Sequence, residues 1–172
     1  MILIDYSQIA LANIIVQKLN DESMIRHMIL NSIRMYNKKY RDEYGELVIC
    51  ADGMNTWRKE FFPEYKANRR KNRDNSDQDW NEIFRILHLV RDEIREYLPY
   101  KVIHLDGVEA DDVIGTLTMR TQEFGQDEPI MIVSSDKDFI QLQKYNNVKQ
   151  FSPIQKKMVT DNNPRMYLFN HI

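Results

Sequence analysis

The sequence predicts an α/β fold: a central, mainly parallel, twisted sheet with helices on both faces. Three observations lead there. Short apolar runs at 2–5, 47–53, 102–105 and 130–133 alternate with longer segments of helical period. The runs are almost continuously apolar rather than alternating, as strands buried on both faces must be. A return to a parallel strand needs a crossover of a dozen or more residues, usually a helix, and the intervening segments supply it. At 172 residues the chain has the size of one domain, so residues 1–172 are read as a single unit.

The first run ends on Asp5 and passes into a helical pattern through Leu19. Asp21 is placed to cap a second helix, on which Met24, Ile25, Met28, Ile29, Ile33 and Tyr36 recur at helical spacing while Arg26, Lys38 and Lys39 fall elsewhere. Gly45 ends it, and 47–53 reads as a buried strand running into a turn. From Trp80 the helical period returns through Ile83, Leu87, Val90, Ile94 and Leu98, until Pro99 closes it. A strand at 102–105 stops at Asp106-Gly107 and precedes a helix over 109–124. The fourth strand, 130–133, runs into Ser134-Ser135-Asp136-Lys137-Asp138 and a short helix. Residues 148–159 read as a small β excursion broken by Pro153, and Pro164, at a favoured first helical position, opens a last helix.

Composition excludes several classes. With 42% hydrophobic and 29% charged residues the chain is neither a disordered tail nor a membrane protein, and no apolar run approaches the roughly 18 residues of a span. The first residues lack the basic start and long apolar stretch of a signal peptide, so a cytoplasmic location is expected. One cysteine, Cys50, forms neither an internal disulfide nor a thiolate zinc site and is expected in the core; the four histidines show no metal-type clustering. The five glycines form no phosphate-binding loop, dinucleotide fingerprint or nucleophile elbow.

The formal charge of −2 hides an asymmetry. Residues 57–73 hold seven basic side chains (Arg58, Lys59, Lys66, Arg69, Arg70, Lys71, Arg73) against Glu60 and Glu64, a local +5 that leaves −7 elsewhere. Such a stripe is either a solvated charged loop or a phosphate grip. The interleaved Trp57, Phe61, Phe62 and Tyr65 favour nucleic acid, because aromatic faces stack on bases.

All four strand exits carry acid: Asp5; Asp52; Glu109, Asp111 and Asp112; Asp136 and Asp138. Open α/β sheets bind ligands beyond the carboxyl ends of their strands, so these groups should converge. Singly, several suit helix capping or a helix dipole. Together, seven carboxylates crowd one edge, and their repulsion calls for divalent cations. Oxygen-only donors favour Mg²⁺, with Mn²⁺ as a substitute, over zinc. Glu109 and Asp111 diverge on a continuous helix but both face inward if Glu109 precedes it.

Leu3-Ile4-Asp5-Tyr6-Ser7, Asp52-Gly53 with Thr56-Trp57-Arg58, Glu64-Tyr65-Lys66-Ala67-Asn68-Arg69, Glu109-Ala110-Asp111-Asp112 and Ser134-Ser135-Asp136-Lys137-Asp138-Phe139 resemble the 5′-nuclease family of flap endonucleases. Residues 5–10 and Lys149-Gln150-Phe151-Ser152-Pro153 resemble its phage RNase H branch, which removes RNA primers during replication. The resemblance implies a metal-dependent 5′→3′ exonuclease and flap endonuclease with two Mg²⁺ ions. It makes Asp5, Asp52, Glu109 and Asp111 the first metal site, Asp136 and Asp138 a contribution to the second, and Asp112 an outer neighbour. Lys66 and Arg69 match the family's basic pair at the scissile phosphate, Tyr65 a stacking position, and about 57–78 an arch, with Arg58, Arg70, Lys71 and Arg73 on nucleic acid.

The implied partners are DNA and RNA–DNA hybrids with 5′ flaps, nicks or primers, with a single-strand-binding protein or sliding clamp as candidate protein partners of a monomer. The family's helix-three-turn-helix loop is not found before Ile172, so the chain is expected to be truncated. A nucleic-acid-binding fragment without catalysis and a PIN-type endoribonuclease are the alternative expectations.

Overall fold

The computed structural model describes residues 1–17, 21–53, 80–123 and 128–160. Arg58, Tyr65, Lys66, Arg69, Arg70, Lys71 and Arg73, and the helix expected from Pro164, lie outside the described residues. The elements in order are β1 (Ile2–Asp5), α1 (Tyr6–Gln17), α2 (Glu22–Tyr44), β2 (Leu47–Cys50), α3 (Trp80–Tyr97), β3 (Lys101–Ile103), α4 (Ala110–Glu123), β4 (Ile130–Val133), a 3₁₀ helix (Lys137–Lys144), β5 (Val148–Ser152) and β6 (Lys157–Met158).

The sheet runs β3-β2-β1-β4-β5-β6, parallel from β3 to β5 and antiparallel only at β6. Its period-two geometry sends alternate side chains to opposite faces. Ile2 and Ile4, Leu47 and Ile49, and Met131 and Val133 pack with residues of α1, α2 and α3. Leu3, Val48, Cys50, Ile130 and Ile132 pack with residues of α4 and the 3₁₀ helix. Burying Ile2, Leu3 and Ile4 completely contributes about 1.5–3 kcal/mol for each. Both faces are therefore covered, as a parallel sheet requires.

Local chemistry sets the boundaries. Asp21 caps α2, its carboxylate accepting from the Ser23 amide at 2.7 Å and the Met24 amide at 3.3 Å. A stripe of Ile25, Ile29, Ile33, Tyr36, Tyr40 and Tyr44 is the buried face of that helix. At its end Gly45, with φ of 89°, takes a backbone conformation that side chains disfavour.

Residues 148–159 are β structure broken at Pro153, as expected, and they join the main sheet: β5 is a fifth parallel strand, with Ile130 opposite Val148 and Val133 opposite Phe151, and the turn at Pro153 returns β6 along its edge. One expectation needs correction. The third strand is Lys101–Ile103 and not 102–105, because the chain leaves the sheet early to loop over β2's exit. There the Gly53 amide donates to Val108 O at 2.7 Å, and a Cβ on Gly53 would lie 1.8 Å from Leu105 O. Only glycine fits that approach.

The chain builds outward in both directions from β1, which pairs with β2 on one side and β4 on the other. The strand order thus reverses at β1/β4, and the crevice beyond these carboxyl ends is where such sheets bind ligands.

Candidate metal centre

β1 delivers Asp5 to the head of that crevice, where its carboxyl is only 4% exposed. The neighbouring strand end supplies a partner: Ser134 Oγ donates to Asp5 Oδ2 at 2.9 Å, while Ser7 Oγ donates to Oδ1 at 3.3 Å. Burial pushes the Asp5 carboxyl up to about 8, and the negative charge of Asp111 pushes the same way. The Ser134 hydrogen bond opposes this, while the charges of Asp52 and Asp136 add to it more weakly. Carboxylates from the β2 exit, α4 and the β4 exit therefore act on the buried carboxyl that β1 supplies.

Asp52 lies two residues past β2, and its Oδ1 accepts from the Ala110 amide at 2.8 Å. That bond ties the exit of β2 to the first turn of α4 and satisfies one of the helix's unpaired donors. α4 begins at Ala110, so Glu109 precedes the helix proper. Glu109 is 1% exposed and Asp111 half-buried, while Asp112 Oδ2 turns back to the Glu109 amide at 3.4 Å. This helix start meets the condition set for Glu109 and Asp111, since the two are not successive residues of one continuous helix.

On the β4 side, Asp136 is the N-cap of the 3₁₀ helix, with Oδ1 accepting from the Asp138 amide at 2.9 Å. The Asp136 amide donates to Ser134 Oγ at 3.1 Å, so a single hydroxyl connects Asp5 and Asp136. Asp138 follows in the first turn, exposed. Cys50 is buried in β2, and burial, with the Asp5 charge, pushes its thiol up to about 12; it is a core residue, as expected.

Sequence reasoning missed Gln150. This side chain is fully buried on β5, and its Nε2 donates to Ser134 O at 2.9 Å and Asp136 O at 2.8 Å. It holds the loop that carries Asp136. The available signal was a glutamine on the same face as Val148 and beside Phe151, both buried, where only a satisfied polar role is tolerated. Ser135 and Ser152 supplement it, their hydroxyls 2.8 Å apart.

Among the described residues, no three His, Cys, Asp or Glu side chains close to ion-holding distance. Asp111, Asp52 and Asp136 lie within electrostatic reach of Asp5 without closing into such a group. Their chemistry nevertheless fits a hard divalent cation. The donors are all oxygen, and Asp5 carries a cost of burial and repulsion that a cation would relieve.

The family of 5′-3′ exonuclease N-terminal, resolvase-like domains matches residues 1–167. Ribonuclease H of Enterobacteria phage T4 is 45% identical over 164 residues, covering 91% of this chain and 53% of that protein. DNA polymerase I of Bacillus caldotenax is 30% identical over 169 residues, covering 95% of this chain and 18% of that protein. The chain thus spans about half, or less, of these curated relatives.

Among solved structures, the zinc-bound T5 5′-exonuclease superposes with a TM-score of 0.73 at 18% identity, over 100% of this chain and 61% of its own. A T5 flap endonuclease in a pseudo-enzyme–product complex with DNA and metal ions gives 0.72 at 19% identity, over 99% and 60%. These two establish the shared fold. Among the described residues, no helix is long and apolar enough to cross a membrane.

Proposed function

Because this chain belongs to the 5′-3′ exonuclease family, through its N-terminal, resolvase-like domain, we propose that it is a divalent-metal-dependent phosphodiesterase acting at 5′ ends. Its substrates on this reading are RNA–DNA hybrids and duplex DNA with flaps, nicks or primers, and its role is the removal of RNA primers in replication. The observation that carries the proposal is the Asp5 carboxylate, buried at the sheet's reversal point, bonded to Ser134 and acted on by Asp111, Asp52 and Asp136.

Asp5, Asp52, Glu109 and Asp111 would hold one Mg²⁺, and Asp136 and Asp138 would contribute to a second, with Asp112 behind them. Bound cations of this kind polarise a phosphodiester and lower the pKa of water toward neutrality. The chain's own residues do the positioning. Ser134 fixes the Asp5 carboxylate, the Ala110 amide fixes Asp52, and Gln150 fixes the backbone on either side of Ser135. Lys66 and Arg69, with Arg58, Tyr65, Arg70, Lys71 and Arg73, are proposed from sequence to grip the strand and stabilise charge on the scissile phosphate.

The test is to incubate the full chain with a 5′-labelled flap duplex and a matched RNA–DNA hybrid, with Mg²⁺, Mn²⁺ or chelator, and size the products. Short metal-dependent products released from the 5′ end are expected. The chain's coverage of about half of the T4 ribonuclease H gives a second reading, a binding fragment without turnover. Salt-dependent binding without product at any metal concentration would establish it. Internal cutting of single-stranded RNA, indifferent to a 5′ end, would instead mark a PIN-type endoribonuclease.

A further inference from the structure

A cavity of about 290 Å³ lies between the 3₁₀ helix and the β5–β6 hairpin, on the far side of Asp136 from Asp5's strand. That is the lower limit of small-ligand pockets, which run from roughly 300 to 1,000 Å³, and it suits a single compact group. The polar part of its wall is Ser135, Ser152, Lys137, Lys157, Gln155 and Thr160, and among the described residues no carboxylate lines it. This is the reverse of the acid cluster one residue away.

Three features of the pocket suit an anion. First, the charge is local: residues 137–160 contain five lysines (137, 144, 149, 156, 157) against one acid, Asp138, in a chain whose net charge is −2. Neither Lys137 nor Lys157 forms an ion pair among the described residues.

Second, the serine pair has a hydroxyl proton to spare. Ser135 Oγ accepts from the Ile154 amide at 3.2 Å and Ser152 Oγ from the Gln155 amide at 3.1 Å, so both oxygens already serve as acceptors. Their mutual contact at 2.8 Å uses one of two hydroxyl protons. The other is not used by these contacts.

Third, the hairpin that brings Lys157 to the wall turns through Lys156 at φ of 55°. Lysine occupies a left-handed position where glycine would sit without strain.

We propose that this pocket takes a backbone phosphate of the nucleic-acid strand, making the β5–β6 edge a second phosphate contact beside the acid cluster. The inference rests on the nuclease reading and deepens it, since Lys137 lies between Asp136 and Asp138 and so places the two sites along one strand path. Phosphates along a nucleic-acid backbone recur at close, regular spacing, which allows one strand to engage both.

The test uses the full chain and a fluorescent 5′-flap duplex, with Ca²⁺ in place of Mg²⁺, and measures affinity by anisotropy across a salt series. Lys157 is exposed on a two-residue edge strand, so Lys157→Gln should leave thermal unfolding unchanged. Affinity should fall roughly tenfold at low salt, and the slope of log K against log salt should become shallower by about 0.9, the value for one lost phosphate contact. Lys157→Arg should restore both. Lys144→Gln removes a charge that lies over the Tyr145 ring, outside the pocket, and should change neither.

An unchanged slope in Lys157→Gln, or an equal loss in Lys144→Gln, overturns the pocket while leaving the nuclease reading in place. Failure of the unaltered chain to bind any nucleic acid overturns both.

Discussion

On one side of the β1–β4 boundary, Asp5 and Asp52 leave strands whose every side chain is buried, and their positions follow from apolar packing. On the other, Asp136 sits on a loop held by side-chain hydrogen bonds: Gln150 to two carbonyls, Ser134 to the Asp136 amide, and Ser135 to Ser152. The first half is placed by the sheet itself, and the second is fastened to the sheet by polar ties. A centre built this way should lose its halves to different kinds of substitution.

The largest effect separates chemistry from stability in the first half. Asp5→Asn should lower cleavage on the order of a thousandfold, because a charged donor is lost. It should also stabilise the metal-free protein. The folded state holds the Asp5 proton more tightly than the unfolded chain does, since the carboxyl rises from 3.8 to about 8. Its contribution is therefore favourable below the lower value and is lost as pH rises toward the upper one. Thermal unfolding of the variant and parent should coincide near about pH 4, with the variant ahead at about pH 8. A variant that melts lower at the alkaline end contradicts the burial of a strained carboxylate.

Gln150→Ala probes the second half alone. A buried and a partly buried carbonyl lose their donor, which should cost about 1–3 kcal/mol. Displacement of the Asp136 loop should reduce metal affinity or turnover roughly 10–100-fold, the scale for removing a group that orients a metal ligand. A magnesium titration of cleavage, with calorimetric unfolding alongside, reads both. Normal turnover at every magnesium concentration would show that the second half is held by something other than this amide.

Much of the first half was legible in the sequence. Parallel strands announce themselves as short unbroken apolar runs, and an acid directly after each run stands out against them. The second half was harder to read for a physical reason. The polar ties act across strands that are not neighbours in sequence, so Gln150 leaves no periodic trace beyond being out of place among Val148, Phe151 and their neighbours. For the same reason β5 read only as part of a small β excursion, with no place in the sheet assigned to it. Its partner is β4, and the connection is a 3₁₀ helix, which lacks the long apolar stripe of an α crossover. The pairing of Lys137 with Lys157 was overlooked because the two are twenty residues apart and meet at one pocket only when the hairpin folds back.

The smallest effect tests the joint between the halves. Ser134→Ala removes the hydroxyl that donates to Asp5 and accepts from Asp136. Stability should fall by about 1 kcal/mol. The Asp5 carboxyl should rise further, since that hydrogen bond is what opposes its burial. The apparent magnesium affinity should then drop a few-fold near about pH 7 and recover in more alkaline buffer, where Asp5 is ionised regardless. A pH-independent loss would mean that the hydroxyl acts only through packing.

The joint also dictates when the centre comes into being. Asp5 and Ser134 are 129 residues apart, and β1 cannot gain its second neighbour until β4 exists. At roughly 5–20 residues per second, synthesis takes on the order of ten seconds to bridge that interval. Throughout that time the nascent Ile2-Leu3-Ile4 segment, made to be enclosed on all sides, has at most one strand beside it. Pairing over such separations is slow and exposes the chain to aggregation. A nascent chain that stops short of β4 therefore cannot bring the carboxylates of both halves together around Asp5.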